Sequence, residues 1–395
     1  MIPINAQTLL QQAEQMQRQN NWQGIVQLLA PVCIPEGIGW QEPALLSMLG
    51  FAATQLEKYD LARQCYARWI EIEPDLARPF YCMGYVYYLE QNWKEAIYWF
   101  EQALKAFPDY FVCLYRLAYA YFKFQKARES IPLLERALEI YRNHPDEDWQ
   151  KRNRKTLMKV RFLLARCYYL KQRYPEALEQ MQAVMAADRR NVISLEHKYY
   201  ALGKILAALK RETEALEYLN KALNPRFPQP YVLDQMGRVY HQMGQHDRAL
   251  DMYARALNVR RQGYILRNRA ETYLAQGKVG KAMGDLHEAL KRDPKSRHKI
   301  YLRLGQIALN QDNLTDARHY FENAIRAKKE TYGVDYAEAH YALVFCYLKQ
   351  DDREAARQAL RTALDIDPEL EWDPALAEIL ELVPGEQNAP PGDVF

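Results

Sequence analysis

The side chains able to do covalent or metal chemistry are few and scattered. Six cysteines, at 33, 65, 82, 113, 167 and 346, stand at least 17 residues apart, with no CxxC and no metal-ligand rhythm. Cys167 and Cys346 fall where small apolar side chains recur, so they read as core and not as nucleophiles. His287-Glu288 lacks a second histidine one turn on, and no Gly-rich phosphate loop or GxSxG is present. His241 and His246, five apart, would sit about 140° apart on one helix and make no metal pair. Asp351-Asp352 reads as a solvated turn. No catalytic constellation, cofactor or metal is expected.

The 395 residues are 49% hydrophobic, enough for a packed core, with 53 Lys+Arg against 50 Asp+Glu. The longest nearly unbroken apolar run, residues 80–89, is far short of the ~20 needed to span a bilayer. The first residues lack a basic and an apolar segment, so no secretory signal is visible. Together with the cysteine usage, this predicts a reduced, cytoplasmic protein with no membrane partner.

Positioning must come from a repeat of about 34 residues, with registers starting at 6, 43, 77, 111, 158, 196, 230, 263, 298 and 337. The eighth position is small in nine registers, among them Gly50, Gly84, Gly237 and Gly305. The twentieth is Ala in eight of ten, and the twenty-seventh in seven. Tyr occupies the eleventh position six times (Tyr87, Tyr121, Tyr168, Tyr240, Tyr273, Tyr347), and Pro closes four units at Pro74, Pro108, Pro294 and Pro368. Each unit carries two apolar stripes at helical spacing; in the third these are Phe80, Met83, Gly84, Tyr87 and Ala96, Trp99, Phe100, Ala103. One helical hairpin cannot bury both stripes, so units must stack.

The pattern of small, aromatic and closing-proline positions resembles the tetratricopeptide repeat family over nearly the whole chain. That resemblance implies an all-α fold, an α-solenoid wound as a right-handed superhelix, and an inner wall that holds extended peptides. The expected organisation is a capping repeat and loop over residues 1–42, repeats two to four over 43–144, and a polar insertion over 145–157. Repeats five to ten then cover 158–370, and a capping helix with a loose tail covers 371–395.

Packing uses positions 4, 7, 8 and 11 of each first helix, which leaves positions 2, 5, 9 and 12 as a separate stripe. The resemblance places that stripe on the inner wall. In units two to four it reads Phe51, Tyr81, Tyr85, Tyr88, Tyr115, Tyr119 and Phe122. Such rings either form a recognition surface or are buried between neighbouring units. In units five to nine the same face is cationic: Lys159, Arg166, His197, Lys204, Arg238, Arg267, Asn268, Lys299 and Arg303. Residues 149–303 hold 32 basic and 14 acidic side chains, a balance of +18 that the acidic flanks conceal. Residues 149–175 contain nine basic residues and no acid. Segregated charge focuses potential and attracts an acidic partner.

Some chaperone-binding members of the family grip a terminal carboxylate with five residues on three successive first helices. Asn268, Lys299 and Arg303 match that pattern, while Asp234 and Arg238 replace its first two residues. Asp234 would repel a terminal carboxylate unless Arg238, one turn on, neutralised it. The favoured reading is a scaffold or adaptor that binds an extended, partly acidic and apolar segment of another protein. Nucleic-acid binding through the basic middle is the alternative, as is a regulatory subunit of an effector complex; oligomeric state is left open. The register generates one direct expectation: Ala96→Leu overpacks the helix contact and costs about 1–3 kcal/mol, read as a lowered unfolding midpoint.

Overall fold

The structure is a computed structural model, and residues 5–380 are described. They hold helices and short 3-10 turns, with no strand among the described residues. The helices come in ten consecutive pairs. The first four are α1 Ala6–Arg18 with α2 Trp22–Leu29, α3 Pro43–Gln55 with α4 Tyr59–Ile72, α5 Ala77–Leu89 with α6 Trp93–Ala106, and α7 Phe111–Lys123 with α8 Ala127–Asn143. α9 Glu147–Leu170 with α10 Tyr174–Ala187 and α11 Leu195–Ala208 with α12 Glu212–Ala222 follow. The last four are α13 Pro230–Gln242 with α14 His246–Val259, α15 Gly263–Ala275 with α16 Val279–Arg292, α17 Arg297–Asn310 with α18 Leu314–Tyr332, and α19 Ala337–Lys349 with α20 Arg353–Ile366. The chain divides into two compact units, one ending at Tyr218 and the other beginning at Leu219.

One conformational event makes every pair. The fifteenth residue of each register is left-handed, with φ between 55° and 71°: Asn20, Glu57, Gln91, Gln125, Gln172, Lys210, Gly244, Gly277, Asp312 and Asp351. Only two of these are glycine, although that conformation costs other residues about 1 kcal/mol or more. The bonds it permits offset the strain. The next amide reaches back to the carbonyl of position 11, as in Asn92 N–H to Tyr87 O at 2.9 Å and Lys126 N–H to Tyr121 O at 2.8 Å. This is the six-to-one bond that closes a helix end. The sixteenth residue then caps the next helix where it is Asn or Asp: Asn21, Asn92, Asn313 and Asp352 accept from the amides of Gly24, Glu95, Asp316 and Ala355.

The small residue at position 8 sets how closely the two helices approach. A Cβ added to Gly50, Gly84, Gly237 or Gly305 would lie 2.6, 2.7, 2.6 and 2.4 Å from the rings of Tyr66, Phe100, Tyr253 and Phe321. Those rings are the twenty-fourth residues of the same registers. Where position 8 is Ala or Val (Ala13, Ala118, Ala165, Ala270, Val344), position 24 is Leu or Met (Leu29, Leu134, Met181, Leu286, Leu360). Shared volume across the contact is conserved, as close packing requires. The sixth register, Gly203 with Leu219 in sequence, departs from this rule.

The expected polar insertion over residues 145–157 is helical for most of its length. Asp146 caps a helix, accepting from Asp148 N–H at 2.8 Å and Trp149 N–H at 3.1 Å, and residues 147–157 are the first three turns of the 24-residue α9. The polar string hides an anchor. Trp149 stacks on His144 at 3.9 Å and meets Phe111 at 5.2 Å, while Gln150 and Tyr141 exchange hydrogen bonds with each other's backbone. At the other end, a 3-10 turn at Pro374–Leu376 and α21 Ala377–Leu380 pack on the last pair, with Arg357 donating to Ile379 O at 2.8 Å. The remainder of the expected capping helix and the tail from 384 lie outside the described residues.

Position 8 predicts a specific coupling. Gly84→Ala should destabilise by about 1–3 kcal/mol despite the better helix propensity of Ala, because Phe100 cannot withdraw. Phe100→Leu alone leaves a cavity and also destabilises. The double variant should regain about 1 kcal/mol or more over the sum of the singles, measured by urea unfolding.

Candidate partner-binding face

Tyr81, Tyr85 and Tyr88 follow one another at four- and three-residue steps along α5, so one helix face carries all three rings. Tyr81 and Tyr85 stack at 6.2 Å with planes 5° apart, and Tyr85 and Tyr88 at 5.9 Å. From α7, Tyr119 joins Tyr88 at 5.5 Å, and Trp93 stands edge-on to Tyr88 at 5.6 Å. Burial pushes the Tyr81 hydroxyl up to about 12, against the pull of Arg116, so it stays protonated and able to donate.

The centre of this cluster is Arg116, at position 6 of its register and off the stripe that the spacing singled out. Its guanidinium carbon lies 4.7 Å from the Tyr85 and Tyr88 ring centres and 5.9 Å from Tyr115. Its Nε is buried without a hydrogen-bond partner. Other guanidinia of this unit are differently placed: Arg63 meets Glu90, Arg68 meets Glu71, and Arg136 meets Asp109. Arg116 has no carboxylate within ion-pair distance among the described residues. Cation–π contacts stabilise by about 0.5–2 kcal/mol each, whereas taking a guanidinium out of water costs several kcal/mol. The cage therefore leaves Arg116 short of negative charge. Nearby Lys159 is exposed, and burial with the neighbouring Arg116 and Lys155 holds its ammonium below the ordinary lysine value.

Rings and cations continue on α9 and α11. Phe122, Phe162, Arg166, Tyr169, His197, Tyr200 and Lys204 surround a cavity of about 310 Å³ floored by Ala165, Met181 and Ile205. Arg166 lies 4.5 Å over Phe122 and 5.9 Å from Phe162, and Lys204 lies 4.3 Å over Tyr169. The aromatic and basic groups thus interleave here; the stripe positions 5 and 12 also capture Phe162, Tyr169 and Tyr200, which the division into aromatic and basic units passed over. Two expected rings stand apart. Tyr115 is only 8% exposed and belongs to the core around α7 to α10, while Phe51 is exposed beside Trp22 at 5.4 Å.

In the second unit the basic residues are largely committed to internal partners. Arg303 grips Glu271 with both arms, at 2.9 and 2.6 Å. Arg267 reaches Asp293 at 4.0 Å, and Arg238 donates to Gln235 at 3.3 Å. Asn268 donates to Asp234 at 2.8 Å, so two of the three residues matching the carboxylate grip already hold acids of this chain. Asp234 is buried and its carboxyl is pushed up to about 6 by burial, with Asn268, Arg238 and Arg267 pulling the other way. Lys299 remains exposed.

The reactive side chains are largely interior. Five of six cysteines are buried and Cys82 is half-buried, and burial pushes the thiols of Cys33, Cys82 and Cys346 up to about 11 and those of Cys65 and Cys167 up to about 12. His241 and His246 are not on one helix: they face each other across the α13–α14 turn with ring centres 5.4 Å apart, and Thr272 bonds His241 at 3.0 Å. No group of three or more His, Cys, Asp or Glu suited to a metal gathers among the described residues. No described helix is long and apolar enough to cross a membrane.

Helical pairs repeated with one turn conformation and one close contact define an α-helical repeat scaffold, a class whose fold suggests protein–protein interaction. Models of the tetratricopeptide repeat match residues 43–76, 75–143, 199–224, 232–263 and 296–369, and the chain belongs to the tetratricopeptide repeat family. The tetratricopeptide repeat protein 36 homolog of Drosophila pseudoobscura pseudoobscura is 34% identical over 96 residues, 23% of this chain. That match spans about half (52%) of the relative's length. Among solved structures, yeast Tom70 is similar over 84% of this chain and 86% of its own, at 14% identity and a TM-score of 0.44. The APC/C hetero-tetramer Cut9–Hcn1 is similar over 94% and 89%, at 12% identity and 0.44. YrrB, described as a TPR protein with an unusual peptide-binding site, is 24% identical over 46% of this chain and 85% of its own, with a TM-score of 0.39.

The geometry at Asp234 generates a pH prediction. Its folded-state value of about 6 exceeds the ordinary 3.8, so its contribution to stability is full at low pH and is lost as pH rises through 6. His298 acts oppositely: burial, then Lys328, Lys299 and Arg267, push it down to about 4, so its contribution is lost as pH falls. Asp234→Asn removes only the first slope. Relative to wild type, the variant should gain about 1–3 kcal/mol between pH 4 and pH 7 in denaturant unfolding.

Proposed function

We propose that the chain is an interaction scaffold whose first unit holds an extended segment of another protein along the α5, α7, α9 and α11 face. Apolar residues of that segment lie against Tyr85, Tyr88, Tyr119 and the Phe122/Phe162 cavity, and its acidic residues lie toward Arg116, Lys159 and Arg166. The observation that carries this reading is Arg116: a guanidinium inside a ring of tyrosines, with no carboxylate of its own. A partner's Asp or Glu supplies the missing charge, and the rings supply contact area at low rotamer cost. Cationic neighbours speed encounter, so affinity should fall with salt.

A second reading, single-stranded nucleic acid, draws on the interleaving of Phe122, Phe162 and Tyr169 with Arg166 and Lys204. It requires retardation of a plain oligonucleotide at low salt, with log affinity falling linearly with log salt. Failure to retard one dismisses it.

A displayed library of random peptides, selected on the full chain, tests the leading reading. Enriched peptides should place an acid beside an aromatic or aliphatic residue. Tyr85→Ala with Tyr119→Ala should weaken them about thirtyfold or more while the unfolding midpoint holds. Arg116→Gln should cost acidic peptides about tenfold to a hundredfold and their Asn- or Gln-substituted forms little. Intact binding by a folded Tyr85/Tyr119 double variant refutes the aromatic contact; enrichment without acids refutes the role of Arg116.

A further inference from the structure

Away from that face, the amino-terminal turns of α9 and the segment following α10 enclose a second cleft. Lys151, Arg152, Arg154, Lys155, Arg189 and Arg190 line a cavity of about 540 Å³ floored by Met158, Ala187 and Val192. Lys151 is paired with Asp148 at 3.0 Å and Arg152 with Asp146 at 3.4 Å, both in the open. Arg154 donates one nitrogen to the Ala187 carbonyl at 3.1 Å. Arg154, Lys155, Arg189 and Arg190 have no carboxylate within ion-pair distance among the described residues.

The one acid in the lining, Asp188, is already engaged. Its carboxylate accepts from the amides of Val192 and Ile193 at 2.8 and 2.9 Å and meets Lys198 at 3.2 Å, and both side chains of the pair are 2% exposed or less. Lys198 also donates to Asn191 at 2.9 Å and to the Asp188 carbonyl at 3.2 Å. A buried ion pair is seldom a source of net stability, but this one pins the segment that carries Arg189 and Arg190. The backbone carrying Arg189 and Arg190 is thereby held beside Arg154 and Lys155, although like charges repel.

We propose that this cleft binds a compact polyphosphorylated anion, a ligand that brings two or more phosphoryl groups into one cavity. Planar guanidinia match phosphoryl oxygens in pairs, and four cations lacking an acid call for several negative charges at once. No aromatic side chain lines the cleft, so it offers nothing for a base to stack on, which separates it from a single-strand track. The cleft lining shares no residue with the peptide-holding face, although its Lys155 neighbours Lys159 of that face.

Tripolyphosphate titrated into the full chain near physiological salt, followed by calorimetry and by unfolding midpoint, tests this. Wild type should show one saturable site and a raised midpoint, with orthophosphate binding more weakly. The triple variant Arg154→Ala, Arg189→Ala, Arg190→Ala should lose about tenfold or more in affinity. The Arg189→Ala, Arg190→Ala pair, which spares the Arg154 bond to the backbone, should lose a large part of it with an unchanged ligand-free midpoint. A charge-matched control, Lys94→Ala, Lys105→Ala, Arg128→Ala, should stay within about twofold. Absence of saturable binding by wild type overturns the proposal, as does an equal loss in the control. Tighter binding of oligothymidylate than of tripolyphosphate through the same arginines also overturns it, in favour of a nucleic-acid contact.

Discussion

The structure depends on one recurring contact: a short residue on the first helix of a pair facing a larger one on the second. Where the first is glycine, as at Gly84, the second is an aromatic ring in four registers of five, Gly203 with Leu219 being the exception; where it carries a methyl or more, the second shrinks to Leu or Met. The left-handed turn residue seven positions further on makes the approach possible, because it closes the first helix and aims the second back along it. Side chains on the outward positions of the helices are then free to vary without disturbing the pair.

What those positions carry falls into two electrostatic kinds. Lys198 with Asp188 and Arg269 with Asp285 are internal pairs in which cation and acid neutralise each other. Arg116 and, around the α9–α10 cleft, Arg154, Arg189 and Arg190 are different: none has a carboxylate within ion-pair distance among the described residues, and Asp188, the acid in the cleft lining, is taken by Lys198. Desolvating or crowding like charge is unfavourable, which is the physical ground on which both proposals assign these places a ligand of the opposite sign.

Much of this was legible from residue types and spacing. The registers inferred from small and aromatic positions coincide with the left-handed residue of every turn, a feature that eight of ten positions do not betray because they are Asn, Glu, Gln, Lys or Asp. The polar insertion over residues 145–157 could be placed from composition, but not its helical form, which Trp149, Tyr141 and His144 anchor. Arg116 escaped because it sits one step off the chosen stripe, among rings that the stripe contains. Asn268 and Arg303 matched a ligand grip by position, but a linear reading does not show that Asp234 and Glu271, one repeat back, come within reach.

The turn that closes each pair has a consequence for how the molecule is made. Its bonds join residues five apart, and the helix contact it enables joins residues about 16 apart, as Gly84 to Phe100. Little of the architecture waits for a distant part of the chain, so structure can accumulate in the order of synthesis, each completed pair offering its apolar flank as the template for the next.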